Sequence, residues 1–245
     1  DALATGHYVR RVKGPNGPEL HRGTDPARDQ SYFLYRTTRA QLDFVRFPLG
    51  AMPKAEVRAI AERLGLVVAD KADSQDICFV PQGRYADVVQ RVRPGTQEAG
   101  EIVHVDGSVL GSHEGVINYT VGQRRGLGIA VGEPLFVVRI EAASRRVVVG
   151  PREALLTRRV VMRDVNWLDG ETPEAGREVL VKVRSTRPPK PARLFLDGAN
   201  ATVELYDAEE AVAPGQACVI YDAGDGGSRV LGGGWIVRNE AALAA

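Results

Sequence analysis

Cys78 stands in Asp73-Ser74-Gln75-Asp76-Ile77-Cys78-Phe79-Val80. A cysteine flanked by Ile77 and Phe79 is most simply a small buried hydrophobe. The chemical reading is a thiolate or persulfide nucleophile, which needs a lowered pKa and access to solvent. Asp73 and Asp76 would by themselves raise a thiol pKa, so on that reading cations from elsewhere in the fold must activate it. A cysteine peroxidase or thiol oxidoreductase would also need a resolving partner or a nearby histidine, and neither stands in this segment. The second cysteine, Cys218, lies in the alternating run Gln216-Ala217-Cys218-Val219-Ile220-Tyr221 and reads as core packing of a strand.

Two further segments suit anions. Val121-Gly122-Gln123-Arg124-Arg125-Gly126-Leu127-Gly128 combines glycines, which allow close backbone approach, with adjacent arginines, which favour phosphate. The plainer reading is a hairpin loop with solvated arginines, and the glycine spacing is not that of a dinucleotide fingerprint. From Lys182 to Arg193 the chain carries five basic residues and no acidic one, on a strand entering a proline-stiffened loop, which fits a phosphate-contacting edge. His113 beside Glu114 lacks the ligand count of a zinc site. Neither a Walker-type glycine loop nor a Ser-Gly-Gly-x-Asp-Ser pyrophosphate loop occurs in these 245 residues.

The elements that must position these groups divide into two kinds. Near the start, Asp29 can accept from the first-turn amides of a short helix through Leu34. Phe44-Val45-Arg46-Phe47 alternates as a short strand. Pro53 then opens a helix whose Val57, Ile60, Ala61 and Leu64 recur at helical spacing, with Gly65 placed for a left-handed cap. Gly65-Leu66-Val67-Val68-Ala69 reads as a buried strand, so this region reads as α/β. Val57, Ile60 and Leu64 share one apolar face of this helix, and residues 1 to about 82 are expected to be loosely folded or aggregation-prone when isolated. Beyond Gly100 the helical signal gives way to short β-rich runs. These are 102–105, 136–140, 146–149, 159–162, 179–183, 193–196, 201–205, 217–221 and 235–237. Such spacing predicts a small closed barrel or sandwich at the C-terminal end.

The 44% hydrophobic and 26% charged residues are the balance of a globular chain and exclude collagen-like, disordered and disulfide-scaffold classes. No apolar run approaches the ~20 residues that cross a bilayer, so no membrane association is expected. Two cysteines far apart in sequence fit a reducing cytoplasm. The formal charge of +1 excludes no class of partner, since nucleic acid is bound through local patches. The chain opens on Asp1 with a strand-like run, as if within a domain.

Eight segments carry a resemblance. Ala4-Thr5-Gly6-His7-Tyr8, Arg28-Asp29-Gln30-Ser31-Tyr32-Phe33-Leu34, Phe47-Pro48-Leu49-Gly50 and Asp73 to Phe79 come first. His113-Glu114-Gly115, Tyr119 to Gly128, Pro214-Gly215-Gln216 and Leu231-Gly232-Gly233-Gly234 follow. In this order they resemble the bacterial tRNA-specific 2-thiouridylases, and the resemblance covers essentially the whole chain.

That resemblance implies the C-terminal part of a Rossmann-like ATP pyrophosphatase domain over residues 1–82. A central tRNA-binding domain over 83–153 and a C-terminal β-barrel over 154–245 would follow. It implies ATP-dependent thiolation of the wobble uridine, position 34, of tRNA. Cys78 would carry the sulfur as a persulfide, delivered by a sulfur-carrier protein, and Mg2+ would arrive with the ATP phosphates. Gly6 matches the backbone position against ATP. His7, Arg28, Asp29, Gln30, Arg184 and Gln216 match tRNA contacts, and Ser185 falls where an aromatic can occur. The family's pyrophosphate loop and first catalytic cysteine have no counterpart here, so the resemblance also implies a tRNA-binding fragment inactive by itself.

Overall fold

The computed structural model describes residues 1–67 and 98–241. The chain begins with β1 (Leu3–Ala4), paired in parallel with β4 (Val45–Arg46). Between them lie a hairpin of β2 (Val9–Gly14) and β3 (Gly17–Arg22) and two short helices, α1 (Ser31–Leu34) and α2 (Arg39–Phe44). A reciprocal capping box opens α2: the Thr38 hydroxyl accepts from the Gln41 amide, and the Gln41 side chain accepts from the Thr38 amide. Helix α3 (Lys54–Arg63) follows Pro53, and Gly65 closes it at φ 66°.

Two expectations for this region change. The strand expected over 44–47 is only Val45–Arg46, because the capping box draws Phe44 into α2. Leu66 and Val67 form no strand and are exposed, Val67 fully, with no partner strand among the described residues; Val68 and Ala69 lie outside the described residues. Helix α3 buries none of its residues, and Leu64 is exposed beyond it.

A four-stranded sheet follows, in the order β6-β5-β8-β7, from β5 (Gly100–His104), β6 (Val109–His113), β7 (Phe136–Glu141) and β8 (Arg146–Gly150). Strands β5 and β8 run parallel and the outer pairs antiparallel. Ile102, Val137, Val147 and Val149 form its core with Leu127 and Leu135 from the connecting loop.

The remaining strands are β9 (Leu156–Trp167), β10 (Arg177–Lys182), β11 (Lys190–Asp197), β12 (Asn200–Glu210), β13 (Ala217–Asp222) and β14 (Val230–Ala241). They close into a six-stranded barrel in the order β10-β11-β12-β9-β14-β13. Closure follows from period-2 patterning: Val160 and Met162, Ala192 and Leu194, and Ala201, Val203 and Leu205 are buried while their neighbours are not. The three glycines of Leu231-Gly232-Gly233-Gly234 bring backbones into close approach. A Cβ at Gly233 would stand 2.6 Å from the Cys218 carbonyl oxygen and 2.7 Å from the Tyr35 ring.

The described residues fall into two compact units. One gathers those of Asp1–Lys71 with Arg158–Ala208 and Pro214–Glu240, and the other gathers those of Ala72–Thr157 with Glu209–Ala213. Within the first region, residues 9–42 are packed into a core, whereas α3 buries none of its residues. Val9, Leu20, Tyr32, Tyr35 and Leu42 share one core with Leu168, Ala217, Val219, Tyr221 and Val230 of the barrel region. The hairpin and the two short helices are amphipathic pieces too small to bury their own apolar faces, and the barrel's outer surface supplies the partner. No helix among the described residues is long and apolar enough to cross a membrane.

Candidate nucleic-acid interface

Gln30 joins two of the segments singled out by sequence. Its side-chain Oε1 accepts from the Tyr8 amide at 2.8 Å, and its own amide donates to the Tyr8 carbonyl at 3.1 Å. This places exposed His7 beside the Arg28-Asp29-Gln30 turn. The Thr5 hydroxyl lies 2.7 Å from His7 Nδ1.

Asp29 faces inward. Its side chain is 2% exposed and accepts from Arg22 Nε at 3.0 Å, the Gly23 and Ser31 amides at 3.1 Å each, and the Ser31 hydroxyl at 2.9 Å. The Ser31 hydroxyl in turn lies 3.0 Å from the Tyr221 hydroxyl on β13. Burial of Tyr221 pushes that phenol's pKa well above its ordinary value. Asp29 thus stabilises the first turn of α1, as its position before the helix predicts, and its carboxylate is closed off from any partner outside the chain.

Tyr32 makes the second junction. Its hydroxyl donates to the Ala217 carbonyl at 2.8 Å and lies 3.3 Å from that of Val183. Arg184 and Ser185 directly follow Val183, and Gln216 directly precedes Ala217, so one buried phenol brings both segments to the end of α1. Arg184 and Ser185 are half-buried, and Gln216 is exposed at the entry to β13 after Gly215. Nothing in the sequence singles out Tyr32, since an aromatic on a short helix reads as core. The signal that could have found it is its place two residues beyond Gln30.

The basic run from Lys182 to Arg193 does not form one continuous stripe. Lys182 is buried, and burial holds its pKa below the ordinary lysine range. Lys190 Nζ donates to the Ala208 carbonyl at 2.9 Å, and Arg193 donates to the Tyr206 hydroxyl at 3.0 Å. Two aromatic groups near the interface were not legible as such. Phe33 is 67% exposed directly after Tyr32, and the Arg36 guanidinium lies 5.7 Å from the Trp235 ring centroid.

Gly6 is exposed, and a Cβ there would meet only Leu49 at 3.6 Å. A groove of about 590 Å³ lies alongside, walled by Leu3, Thr5, His7, Leu34, Phe44 and Phe47. Its walls are mostly apolar, and among the described residues it has no glycine-rich amide cradle for phosphates. Cys78 lies outside the described residues. Cys218 is fully buried in the barrel, and burial pushes its thiol pKa up to about 12, so it is an inert packing group.

Three family models match consecutive parts of the chain. They are a tRNA methyl transferase HUP domain over residues 1–82, a tRNA methyl transferase PRC-barrel domain over 87–151 and an aminomethyltransferase β-barrel domain over 157–236. The chain is 64% identical to the tRNA-specific 2-thiouridylase MnmA of Maricaulis maris, over 97% of this chain and 58% of that protein. It is 63% identical to the protein of the same name from Hyphomonas neptunium, over 97% of this chain and 61% of that protein. It is also 63% identical to that of Rhodospirillum centenum, over the whole chain and 63% of that protein. The chain thus spans about three fifths of the length of the curated relatives it matches. It belongs to the family of the tRNA-specific 2-thiouridylases.

Proposed function

We propose that this chain takes part in ATP-dependent 2-thiolation of the wobble uridine, position 34, of tRNA in the cytoplasm. The observation that supports this reading is the junction at α1, where bonds from Tyr8 to Gln30 and from Tyr32 to Val183 and Ala217 tie together the segments that carry His7, Arg28, Gln30, Arg184, Ser185 and Gln216. Within it, Asp29 acts by positioning: its carboxylate locks the turn that presents Arg28 and Gln30. A buried carboxylate also keeps negative charge away from approaching phosphates. The division into residues 1–82, 83–153 and 154–245 is proposed with it.

The uridine C2 carbonyl is a poor electrophile. On this reading its oxygen attacks the α-phosphorus of ATP, pyrophosphate leaves, and the adenylated oxygen becomes a leaving group. The terminal sulfur of a Cys78 persulfide, loaded by a sulfur-carrier protein, attacks C2, and AMP departs with its oxygen. A second thiol then attacks the Cys78 sulfur, forming a disulfide and releasing 2-thiouridine. An anticodon-loop base can be splayed out for this at little cost. ATP and Mg2+ enter as an ATP–metal complex, with the metal held mainly by phosphates. The 245 residues lack a pyrophosphate loop, and the mostly apolar groove beside Gly6 has no glycine-rich amide cradle among the described residues. The chain by itself is therefore expected to bind tRNA without releasing AMP.

The test is Cys78→Ser in the longer protein that carries this chain, assayed with tRNA, ATP and a persulfide donor. An alkoxide cannot carry sulfur, so thiolated tRNA should be absent while tRNA binding is kept. Thiolation by that variant would remove Cys78 from the reaction.

A further inference from the structure

The loop from Gly122 to Gly128 is held from three sides. The Gly122 amide donates to the Val137 carbonyl at 2.7 Å, and the Val137 amide donates to the Gln123 carbonyl at 2.9 Å, so the loop starts as an extension of β7. The Gln123 side chain bridges it internally, accepting from the Thr120 amide at 3.1 Å and donating to the Arg125 carbonyl at 2.9 Å. Leu127 is buried in the sheet's core. Gly122 and Gly126, at φ 89° and 73°, turn the chain between these anchors. A solvated hairpin tip needs none of this.

What the loop presents is two adjacent exposed arginines. The other arginines in the described part of this unit are all matched with carboxylates: Arg139 with Glu141, Arg145 with Glu98, Arg146 with Glu101 and Arg152 with Glu210, at 2.7 to 3.3 Å. Arg124 and Arg125 have no such partner among the described residues. Two unneutralised guanidiniums on a braced loop, beside arginines that are neutralised, form a local positive site with its donors free. A fork of N–H donors without an acceptor suits the oxygens of phosphodiesters.

We propose that this loop is a docking site for the phosphodiester backbone of folded RNA, with Arg124 and Arg125 each contacting a phosphate. The proposal rests on the reading of the chain as tRNA-binding and adds to it a site outside the α1 junction. Because phosphates carry no sequence information, the loop contributes affinity and register rather than choice of base.

The experiment measures binding of the full 245-residue chain to an unmodified tRNA transcript by fluorescence anisotropy across a salt series. It compares the chain with Arg124→Gln/Arg125→Gln and Arg124→Lys/Arg125→Lys. Each lost phosphate contact lowers the slope of log affinity against log salt by about one. The glutamine pair should therefore lose about two in slope, equally for a transcript with a changed anticodon, and the lysine pair should keep most of it. Both side chains are exposed, so thermal unfolding of either variant should match the parent, and each single glutamine variant should lose about one. An unchanged slope in the glutamine pair, while the parent chain binds tRNA, overturns the docking site and leaves the functional reading standing. A loss confined to one anticodon sequence also overturns it, because that signals base contact. Failure of the parent chain to bind tRNA at all overturns both.

Discussion

Asp29 is a residue whose type suggests one role and whose surroundings assign another. A carboxylate between Arg28 and Gln30 reads as part of a recognition strip, yet four donors close around it and it is 2% exposed. Removing it leaves those donors and the Arg22 charge without an acceptor. Asp29→Ala is thus expected to destabilise the chain by about 3 kcal/mol, read from urea unfolding. A change under ~1 kcal/mol would mean that the network carries little of the fold. The buried acids make a second prediction at this scale. Burial raises the pKa of Cys218, Tyr32, Tyr35 and Tyr221 above their ordinary values of 9.0 for the thiol and 10.0 for the phenols. The unfolded chain loses these protons first, so the stability they contribute is complete below about pH 9 and falls as pH rises toward the folded values. Each titrating group removes up to about 1.4 kcal/mol per pH unit. Urea midpoints should be flat from pH 7 to 8.5 and drop by pH 10.5; a midpoint that holds to pH 10.5 contradicts the assignment. Native Cys218 should also resist alkylation at pH 8 and react once the chain is unfolded.

Helix α1 is four residues long, far too short to be stable alone, and its position is set by what Tyr32 reaches. Tyr32→Phe keeps the ring and deletes the hydroxyl that ties Ala217 and Val183 to α1. The expected cost is about 1–2 kcal/mol of stability, together with weaker tRNA binding, because Arg184 and Gln216 lose their common anchor. A variant that loses stability but binds tRNA as before would separate the packing role from the interface. The strands were legible in the sequence wherever period-2 patterning met a closed or central sheet. All nine β-rich runs fall within observed strands, apart from Val105 and Val183, each one residue past a strand end. The β2–β3 hairpin was not legible. Val9-Arg10-Arg11-Val12-Lys13 has too few apolar residues to announce a strand, and it forms because Val9 and Leu20 have the barrel surface to bury against. β6 is not legible for a related reason: Val109-Leu110-Gly111-Ser112-His113 carries only two apolar residues, and pairing with β5 rather than its own pattern holds it. The motifs marked the interface residues, but the polarity of each contact was not readable. That Gln30 binds Tyr8, and that the Ser31 hydroxyl held by Asp29 reaches Tyr221, depends on contacts between segments about twenty to two hundred residues apart.

On the scale of the molecule, the region read as an unsupported remnant is joined to the barrel by a core and by charge. Val9, Leu20 and Leu42 are fully buried, each worth ~1.5–3 kcal/mol, and they lie in one cluster with Val219 and Tyr221. Around that cluster Arg229 pairs with Glu19 of β3 at 3.2 Å and also with Asp169, while Arg177 meets Asp169 at 2.6 Å. The Arg22 amide donates to the Ser228 carbonyl at 2.8 Å, and Asn166 Nδ2 donates to the Tyr35 carbonyl at 2.7 Å. Residues 9–42 and the barrel should consequently unfold together. In native-state hydrogen exchange, strand amides of Val12 and Glu19 should reach protection close to those of Val219 and Ile220. Helix α3, which buries nothing, should exchange far faster. Leu20→Ala, in β3, should then lower the barrel's own melting temperature, since the cavity opens in a shared core and not in a separate one. If the hairpin amides exchange orders of magnitude before those of β13, or if Leu20→Ala leaves the barrel transition unmoved, the two regions are independent and the junction at α1 is not a rigid interface.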